Sequence, residues 1–224
     1  ENYQKFFTPV YLKMTLSSFW YAFLITAITL LIAYPTALLL TKTRHKYLWL
    51  LLLIVPSWIN LLLKAYAFLG IFGTYGMANS FLEVIGIGSQ QILFTDFSFV
   101  FVSVYIFIPF MILPIFNALN ELNPTFIDAA NDLGASRLTT FWRVTLPLTL
   151  DGVKVGCQIV FIPALSLFML TRLIAGNRVI TLGTAIEQHF LVTQDWGMGS
   201  TIAVFLIIIM FLFMKLTSSR KRGI

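Results

Sequence analysis

Residues 123–147 read NPTFIDAANDLGASRLTTFWRVTLP. Asn123 and Pro124 are residue types that open a helix, as its cap and in its first turn, and Gly134 is typical of a helix end. Ser136 is placed to cap a second short helix that runs to the final proline. The sequence therefore predicts a helix–glycine–helix unit that is too polar to cross a membrane and too apolar for a free linker.

Two interpretations of this unit are open from its residues alone. An amphipathic helix pair lying on the membrane surface is the simpler one. The other is a knob presented to a soluble partner, in which the small side chains of Ala129 and Ala130 permit close approach.

The chain on both sides of this unit is strongly apolar. Hydrophobic residues make up 58% and charged residues 11%, with a mean hydropathy of +0.88, whereas a soluble domain has about 25% charged residues. The bilayer must therefore act as solvent. The net charge is +6. The charged residues flank the apolar runs and do not line one polar face, so nucleic acid is not expected as a partner.

Membrane-spanning helices are predicted from the apolar runs. A span needs roughly 20 mostly apolar residues, and five segments qualify. They are 17–40, 47–72, 97–119, 153–174 and 201–214. Residues 1–224 are thus expected to form a single transmembrane domain, all-α and polytopic, with 120–152 as a cytoplasmic loop.

The orientation follows from lysine and arginine, which are concentrated on the cytoplasmic side of membrane proteins. The basic segments 42–46, 137–154 and 215–222 are predicted inside. The alternate loops, which are predicted outside, carry Glu83, Asp96, Arg172, Arg178, Glu187 and Asp195. This places residues 1–16 outside. Because the first residue is Glu1, not Met, we expect a preceding span and six spans in the full protein.

Prolines interrupt several of the predicted spans. They are Pro35, Pro56, Pro109, Pro114 and Pro163. Each removes a backbone donor and kinks or breaks its helix, which is tolerated at membrane depth only where protein or a water-filled cavity surrounds it. The pattern favours a transporter over a simple anchor.

The cytoplasmic unit resembles a known family signature. Asp128-Ala129-Ala130, Gly134 and Leu146-Pro147 match the "EAA…G…LP" pattern of ABC importer permeases, with Asp in place of Glu. The resemblance implies the type I importer permease fold, and a coupling helix seated in a cleft of an ATP-binding subunit. The residues it assigns to coupling are Asp128, Ala129, Ala130, Asp132, Leu133, Gly134, Ala135, Leu146 and Pro147.

The resemblance extends over nearly the whole chain. Residues 55–60, 105–114 and 195–197 are similar to the permease subunits of spermidine/putrescine importers. This implies a bacterial cytoplasmic membrane protein with four partners: a second homologous permease, two ATP-binding subunits and an extracellular or periplasmic binding protein. ATP and Mg would bind the ATPase partner, so no cofactor, metal or catalytic residue is expected in this chain.

Polyamine transport is chemically reasonable for these residues. A flexible cation needs carboxylates at the mouth of its path and aromatic faces deeper, where each cation–π contact contributes about 0.5–2 kcal/mol. The candidates for this path are Trp58, Asn60, Tyr66, Tyr105, Phe161, Glu187, Asp195 and Trp196.

Two basic residues complicate the choice of substrate. Lys64 lies inside the second predicted span, where we expect its side chain to extend toward water. Arg172 would repel a polyamine unless a carboxylate pairs with it, and it also suits a contact with the binding protein. A permease for an amino acid, phosphate or a metal is therefore the alternative.

Other functional classes fit less well. A membrane enzyme would need a nucleophile or metal ligands, but His45, His189 and Cys157 stand without convincing catalytic partners. No phosphate loop ending Gly-Lys-Ser/Thr is present, which assigns ATP hydrolysis to another chain. A passive channel would have no reason for the coupling loop.

Overall fold

The computed structural model describes residues 2–217, and within them it contains helices and connecting segments but no strand. The all-α prediction is confirmed. In chain order the helices are α1 Asn2–Phe6, α2 Pro9–Thr41, α3 Lys46–Ile54, α4 Leu61–Phe72, α5 Met77–Val84, α6 Asp96–Asn120, α7 Pro124–Asp132, α8 Arg137–Thr140, α9 Leu146–Leu148, α10 Leu150–Leu165, α11 Met169–Leu173, α12 Leu182–Glu187 and α13 Trp196–Thr217. The basic run Arg220, Lys221, Arg222, which contributes to the predicted orientation, lies outside the described residues.

Helices α2, α6 and α10 form the centre of the bundle. One face of α2 is buried through Ala22, Ile25, Thr29, Ala33 and Ala37, which recur every three or four residues. The small alanines let the helix backbones approach closely, as is usual for packing between membrane helices. Helix α13 joins this core through Phe161 and Phe213, whose rings stack with their centroids 4.0 Å apart.

Glycines on α10 allow its close contact with α6. A Cβ atom at Gly152 would lie 2.5 Å from the Ala118 Cβ and 2.7 Å from the Pro114 carbonyl oxygen. At Gly156 the nearest atom would be the Met111 sulfur, at 2.6 Å. A thioether at the end of a flexible side chain can move, whereas a helix backbone cannot.

We therefore expect Gly152→Ala to destabilise the protein more than Gly156→Ala. Overpacking against a rigid neighbour costs about 1–3 kcal/mol. The rigid neighbour of Gly152 is the α6 backbone at Pro114. The melting temperatures of the two variants in detergent measure the difference. Each variant is the control for the other, because both substitutions lie on α10. Equal melting temperatures for the two variants would contradict this account of the α6–α10 contact.

The predicted span 47–72 is not one continuous helix, and its interruption lies at Pro56, one of the prolines predicted to kink or break a span. A 3₁₀ turn, Val55–Trp58, follows α3 and contains Pro56, and Ile59 is extended before α4 begins. Asn60 caps α4 by accepting a hydrogen bond from the Leu62 N–H at 2.8 Å. The chain is thus broken at the proline and restarted at the asparagine.

The segment between the cytoplasmic loop and the fourth predicted span is bent. A π-helical turn, Phe141–Thr145, joins α8 to α9. The resulting helical stretch Arg137–Leu148 meets α10 at 64°. Helix α10 ends at Leu165, two residues after Pro163, so the predicted span 153–174 ends earlier as a helix than expected, and the short α11 follows it. Pro35, Pro109 and Pro114 lie inside continuous helices.

Four helical stretches in the described chain are long and apolar enough to cross a membrane, or five if the bent pair counts as one. They are Pro9–Thr41, Leu61–Val84, Asp96–Asn120 and Trp196–Lys215. The helix over 46–58 is apolar but shorter. Helices α2 and α13 extend beyond the predicted spans 17–40 and 201–214.

Contacts at the two ends of the bundle agree with the predicted division of the loops into two sets. At one end the Leu182 N–H donates to the Ser18 hydroxyl at 2.7 Å, and the Phe94 N–H donates to the Ile174 carbonyl at 2.9 Å. At the other end the Lys46 ammonium donates to the Asn120 side chain. The loops predicted outside therefore meet at one end, and those predicted inside meet at the other.

Candidate functional site

Helix α7 begins as predicted, with a capping residue followed by a proline in the first turn. The Asn123 side chain accepts a hydrogen bond from the Thr125 N–H at 3.0 Å, and Pro124 is the first helical residue. Ser136 caps α8 by accepting from the Thr139 N–H at 3.3 Å. Asparagine and serine satisfy N–H groups that have no partner inside the helix. Both capping predictions are confirmed.

Gly134 ends α7 in the left-handed conformation, with φ +76°. Its N–H donates to the Asn131 carbonyl at 2.9 Å, and the Ala135 N–H donates to the Ala130 carbonyl at 3.0 Å. These two bonds define a Schellman motif, in which glycine avoids the penalty that a Cβ atom brings at positive φ. The motif fixes the angle at which the chain leaves α7.

Helix α7 has two different faces. Pro124, Ile127 and Asn131 line a cavity toward the bundle. The outer face exposes Asp128, Ala129 and Asp132, and Leu133 at the helix end is 89% exposed. Ala130 and Ala135 are half-buried. The outer face thus presents carboxylates, a small alanine and an exposed leucine side chain, a combination suited to binding another protein.

Leu146 and Pro147 lie in α9, immediately before the bend into α10. The bend is at Thr149, which is fully buried and whose hydroxyl is 2.8 Å from the Tyr34 hydroxyl on α2. The cytoplasmic unit is therefore continuous with α10 through the bend and is connected to α2 by a buried hydrogen bond. Neither Tyr34 nor Thr149 was singled out from the sequence, because nothing local marks a pair 115 positions apart.

The outer end of the bundle contains an ion pair. The Arg172 guanidinium donates to the Glu187 carboxylate at 2.9 Å. The Glu187 side chain is only 12% exposed and that of Arg172 is 61% exposed. Both line a cavity of ≈ 270 Å³ together with Met14 and Asn177. Arg172 therefore has the carboxylate partner that the sequence required for compatibility with a cationic substrate.

Asp195 and Trp196 open α13 at the same end. The Asp195 carboxylate accepts a hydrogen bond from the Met198 N–H at 3.0 Å, which makes it a helix cap as well as an exposed charge. Trp196 is 68% exposed and packs edge-on against Phe190, with ring centroids 6.1 Å apart. His189, weighed in the sequence as a catalytic candidate, is bonded to the Tyr11 hydroxyl at 2.8 Å.

The break between α3 and α4 holds two candidates for the transport path. Trp58 is 78% exposed and lines a cavity of ≈ 200 Å³ with Pro109 and Phe110 of α6. Asn60 is exposed beside it as the cap of α4. Exposed backbone polar groups at membrane depth require protein or water around them, so this break belongs to a surface that is covered or wet in the membrane.

Lys64 stabilises this break, and the expectation that its side chain extends toward water is wrong. The residue is 8% exposed, and its ammonium donates to the Ser57 carbonyl at 3.1 Å. That carbonyl lies in the 3₁₀ turn, where regular helical bonding is lost. The combination of Pro56 with Asn60 is the signal from which the break was recognisable in the sequence.

The remaining aromatic candidates occupy separate places. Tyr66 is 58% exposed on α4. Tyr105 is 45% exposed and lines an apolar cavity of ≈ 460 Å³ between α2 and α6. Phe161 is 5% exposed and stacked on Phe213, so it lies in the core of this chain. Trp58, Tyr105 and Glu187 line three different cavities, and this chain does not bring them into one site.

The bundle, its broken helix and its capped cytoplasmic unit define a polytopic α-helical membrane protein, and the family match places it among the transport permeases. Residues 4–219 match the family described as the binding-protein-dependent transport system inner membrane component. The chain belongs to this family and is a multi-pass protein of the bacterial cytoplasmic membrane.

Two curated relatives share the name "spermidine/putrescine transport system permease protein PotB". That of Haemophilus influenzae is 37% identical over 216 residues, covering 95% of this chain and 76% of the relative. That of Escherichia coli is 36% identical over 218 residues, covering 96% of this chain and 79% of the relative.

A solved structure is similar throughout the fold. It is a chain of a bacterial alginate ABC transporter in complex with an alginate pentasaccharide-bound periplasmic protein, with a TM-score of 0.81, 15% identity and coverage of 97% of this chain and 80% of that chain. At this identity the likeness shows the fold alone, and it confirms the type I importer permease architecture.

Proposed function

We propose that this chain is a permease subunit of an ATP-driven importer for polyamines. The observation that carries the proposal is the identity of 36–37% to two spermidine/putrescine permeases over 95–96% of the chain. Carboxylates at the outer end and exposed aromatics at the helix break suit a cationic chain molecule.

The proposed assembly has this chain beside a second homologous permease, with two ATP-binding subunits in the cytoplasm and a binding protein outside. ATP and Mg bind the ATPase subunits. The outer face of α7 docks into the ATPase, and closure of the nucleotide sites is transmitted through the bend at Thr149 to α2 and α10. The exposed Trp58, Asn60, Tyr66 and Tyr105 lie on surfaces that the second permease covers, and the path runs between the two chains.

Competitive uptake tests the substrate. Cells that express the whole operon should accumulate labelled spermidine or putrescine, and excess unlabelled polyamine should compete while amino acids, phosphate and metal salts should not. Cells without this chain provide the background. Competition by one of the unrelated solutes, with none by polyamines, would overturn the polyamine assignment and leave the permease assignment standing.

Opposite charge changes at the outer ion pair should have opposite effects on uptake. Glu187→Gln removes the attraction for ammonium groups and leaves Arg172 unpaired, so polyamine uptake below saturation should fall by up to about fivefold. Arg172→Gln frees the carboxylate, and uptake should be maintained or raised.

Glu83→Gln is the matched control for this pair, since it removes one carboxylate from the other outer loop. It should change uptake less than Glu187→Gln. A fall of similar size in both the Arg172 and Glu187 variants would mean that the pair is needed for structure and not for attracting the substrate.

A further inference from the structure

A cavity of ≈ 520 Å³ lies between the cytoplasmic ends of the spans and α7. Its walls come from the end of α2, the start of α3, the end of α6 and the faces of α7 and α8 that point toward the bundle. Lys42, Lys46 and Arg137 line it, and none of the described residues that line it is acidic. Three separate elements thus bring three positive charges to one cavity.

These charges are not neutralised by the described part of the chain. The Lys46 ammonium is hydrogen-bonded to the Asn120 side-chain oxygen and lies 5.4 Å from the centre of the Tyr47 ring. Lys42 and Arg137 are exposed, and neither forms an ion pair within residues 2–217. Three like charges that line one cavity repel each other, which favours binding of an anion.

The position of the cavity at the ends of the membrane helices indicates the kind of anion. Lys42 follows the last residue of α2, and Lys46 begins α3. Tyr47, Trp49 and Trp142 nearby are 63%, 52% and 60% exposed. Tyrosine and tryptophan concentrate at the membrane–water interface, at the level of the headgroups.

We propose that this cavity binds the headgroup of an anionic phospholipid from the cytoplasmic leaflet. Basic pockets between membrane helices on this side have the charge and position that phospholipid headgroups require. Leu38 and Leu119 in the lining offer apolar contact to the start of the acyl chains. The phosphate is placed among the three cations.

The lipid would lie under the coupling helix. The face of α7 that lines the cavity is the one carrying Ile127 and Asn131, whereas Asp128 and Asp132 are exposed on the outer face. A bound headgroup supports α7 from the membrane side and leaves the proposed ATPase surface free. This effect on coupling rests on the proposed function, but lipid binding itself does not.

Native mass spectrometry of the full-length protein tests the site. The protein is titrated with phosphatidylglycerol or with phosphatidylcholine of the same acyl chains. Lys42→Gln/Arg137→Gln should raise the apparent Kd for phosphatidylglycerol by about tenfold, since each basic residue near an anionic lipid surface contributes severalfold to binding. The unaltered protein should prefer phosphatidylglycerol.

The matched control is Arg44→Gln/Arg143→Gln, which removes the same charge from the same side at residues that do not line the cavity. It should leave the Kd nearly unchanged. Equal weakening in both double variants, equal binding of phosphatidylcholine, or displacement of the lipid by millimolar inorganic phosphate would each overturn the proposal.

If the double variant does not accumulate, Lys42→Gln and Arg137→Gln are measured singly. Both side chains are exposed, so each single variant should fold and weaken phosphatidylglycerol binding by a part of the full effect. Unchanged binding in both would also overturn the proposal.

Discussion

Gly134→Val is expected to reduce polyamine import by at least about tenfold while the protein still inserts in the membrane. A residue with a Cβ atom pays about 1–2 kcal/mol in the left-handed conformation, and a β-branched residue fits it worst. Gly134 has φ +76°, and a Cβ there would meet no atom within 4 Å. The defect therefore arises from the altered exit of α7 and not from a clash within the chain.

Two further variants make this result specific. Gly86 also has a positive φ, +81°, and a Cβ there would likewise meet no atom within 4 Å, but it lies in an outer loop. Gly86→Val imposes the same backbone penalty and should leave import close to normal. Gly134→Asn should retain most import, because asparagine tolerates this conformation better than other residues. Normal import in Gly134→Val would exclude a coupling role for this turn.

Leu133→Ser is expected to weaken binding of the proposed ATP-binding subunit by about ten- to a hundredfold. Burying a leucine side chain contributes about 1.5–3 kcal/mol, and Leu133 is 89% exposed at the end of α7. Within the chain the side chain has little to lose, so the folded permease should be unaffected. Affinity of the two purified components in detergent, together with stimulation of ATP hydrolysis, measures the effect.

Val84→Ser is the control for this substitution. Val84 is 84% exposed at the end of another short helix, α5, on the opposite side of the protein. It should bind the ATP-binding subunit normally. If Leu133→Ser also binds normally, the outer face of α7 around Leu133 is not the docking surface.

Local features of this protein were predictable from the sequence because their chemistry involves neighbouring residues. The caps at Asn123 and Ser136 and the turn at Gly134 each depend on groups within about five positions. The interruption at Pro56 and Asn60 carried the same kind of signal. Pro56 predicts a kink or break, whereas the restart of the helix with Asn60 as its cap is seen only in the structure.

The sequence did not predict which side of a helix packs on protein or which distant residues interact with each other. The stacking of Phe161 on Phe213, which lies on another helix, has no local signal in the sequence. Lys64 was expected to reach water, but it is bonded to Ser57. Arg172 required a carboxylate, and the sequence did not identify Glu187, fifteen positions away, as its partner.

The cytoplasmic unit, residues 123–147, illustrates both the features that the sequence predicts and those that it does not. The sequence by itself determined its helix and its glycine turn and predicted its cytoplasmic side, because capping and the distribution of lysine and arginine are properties of the local chain. Only the tertiary structure decided which face of α7 is free, which cations share a cavity beneath it and which hydrogen bond connects it to α2. The physical reason is that lipid is as apolar as a leucine core, so hydropathy does not distinguish a helix face packed on protein from one facing the bilayer.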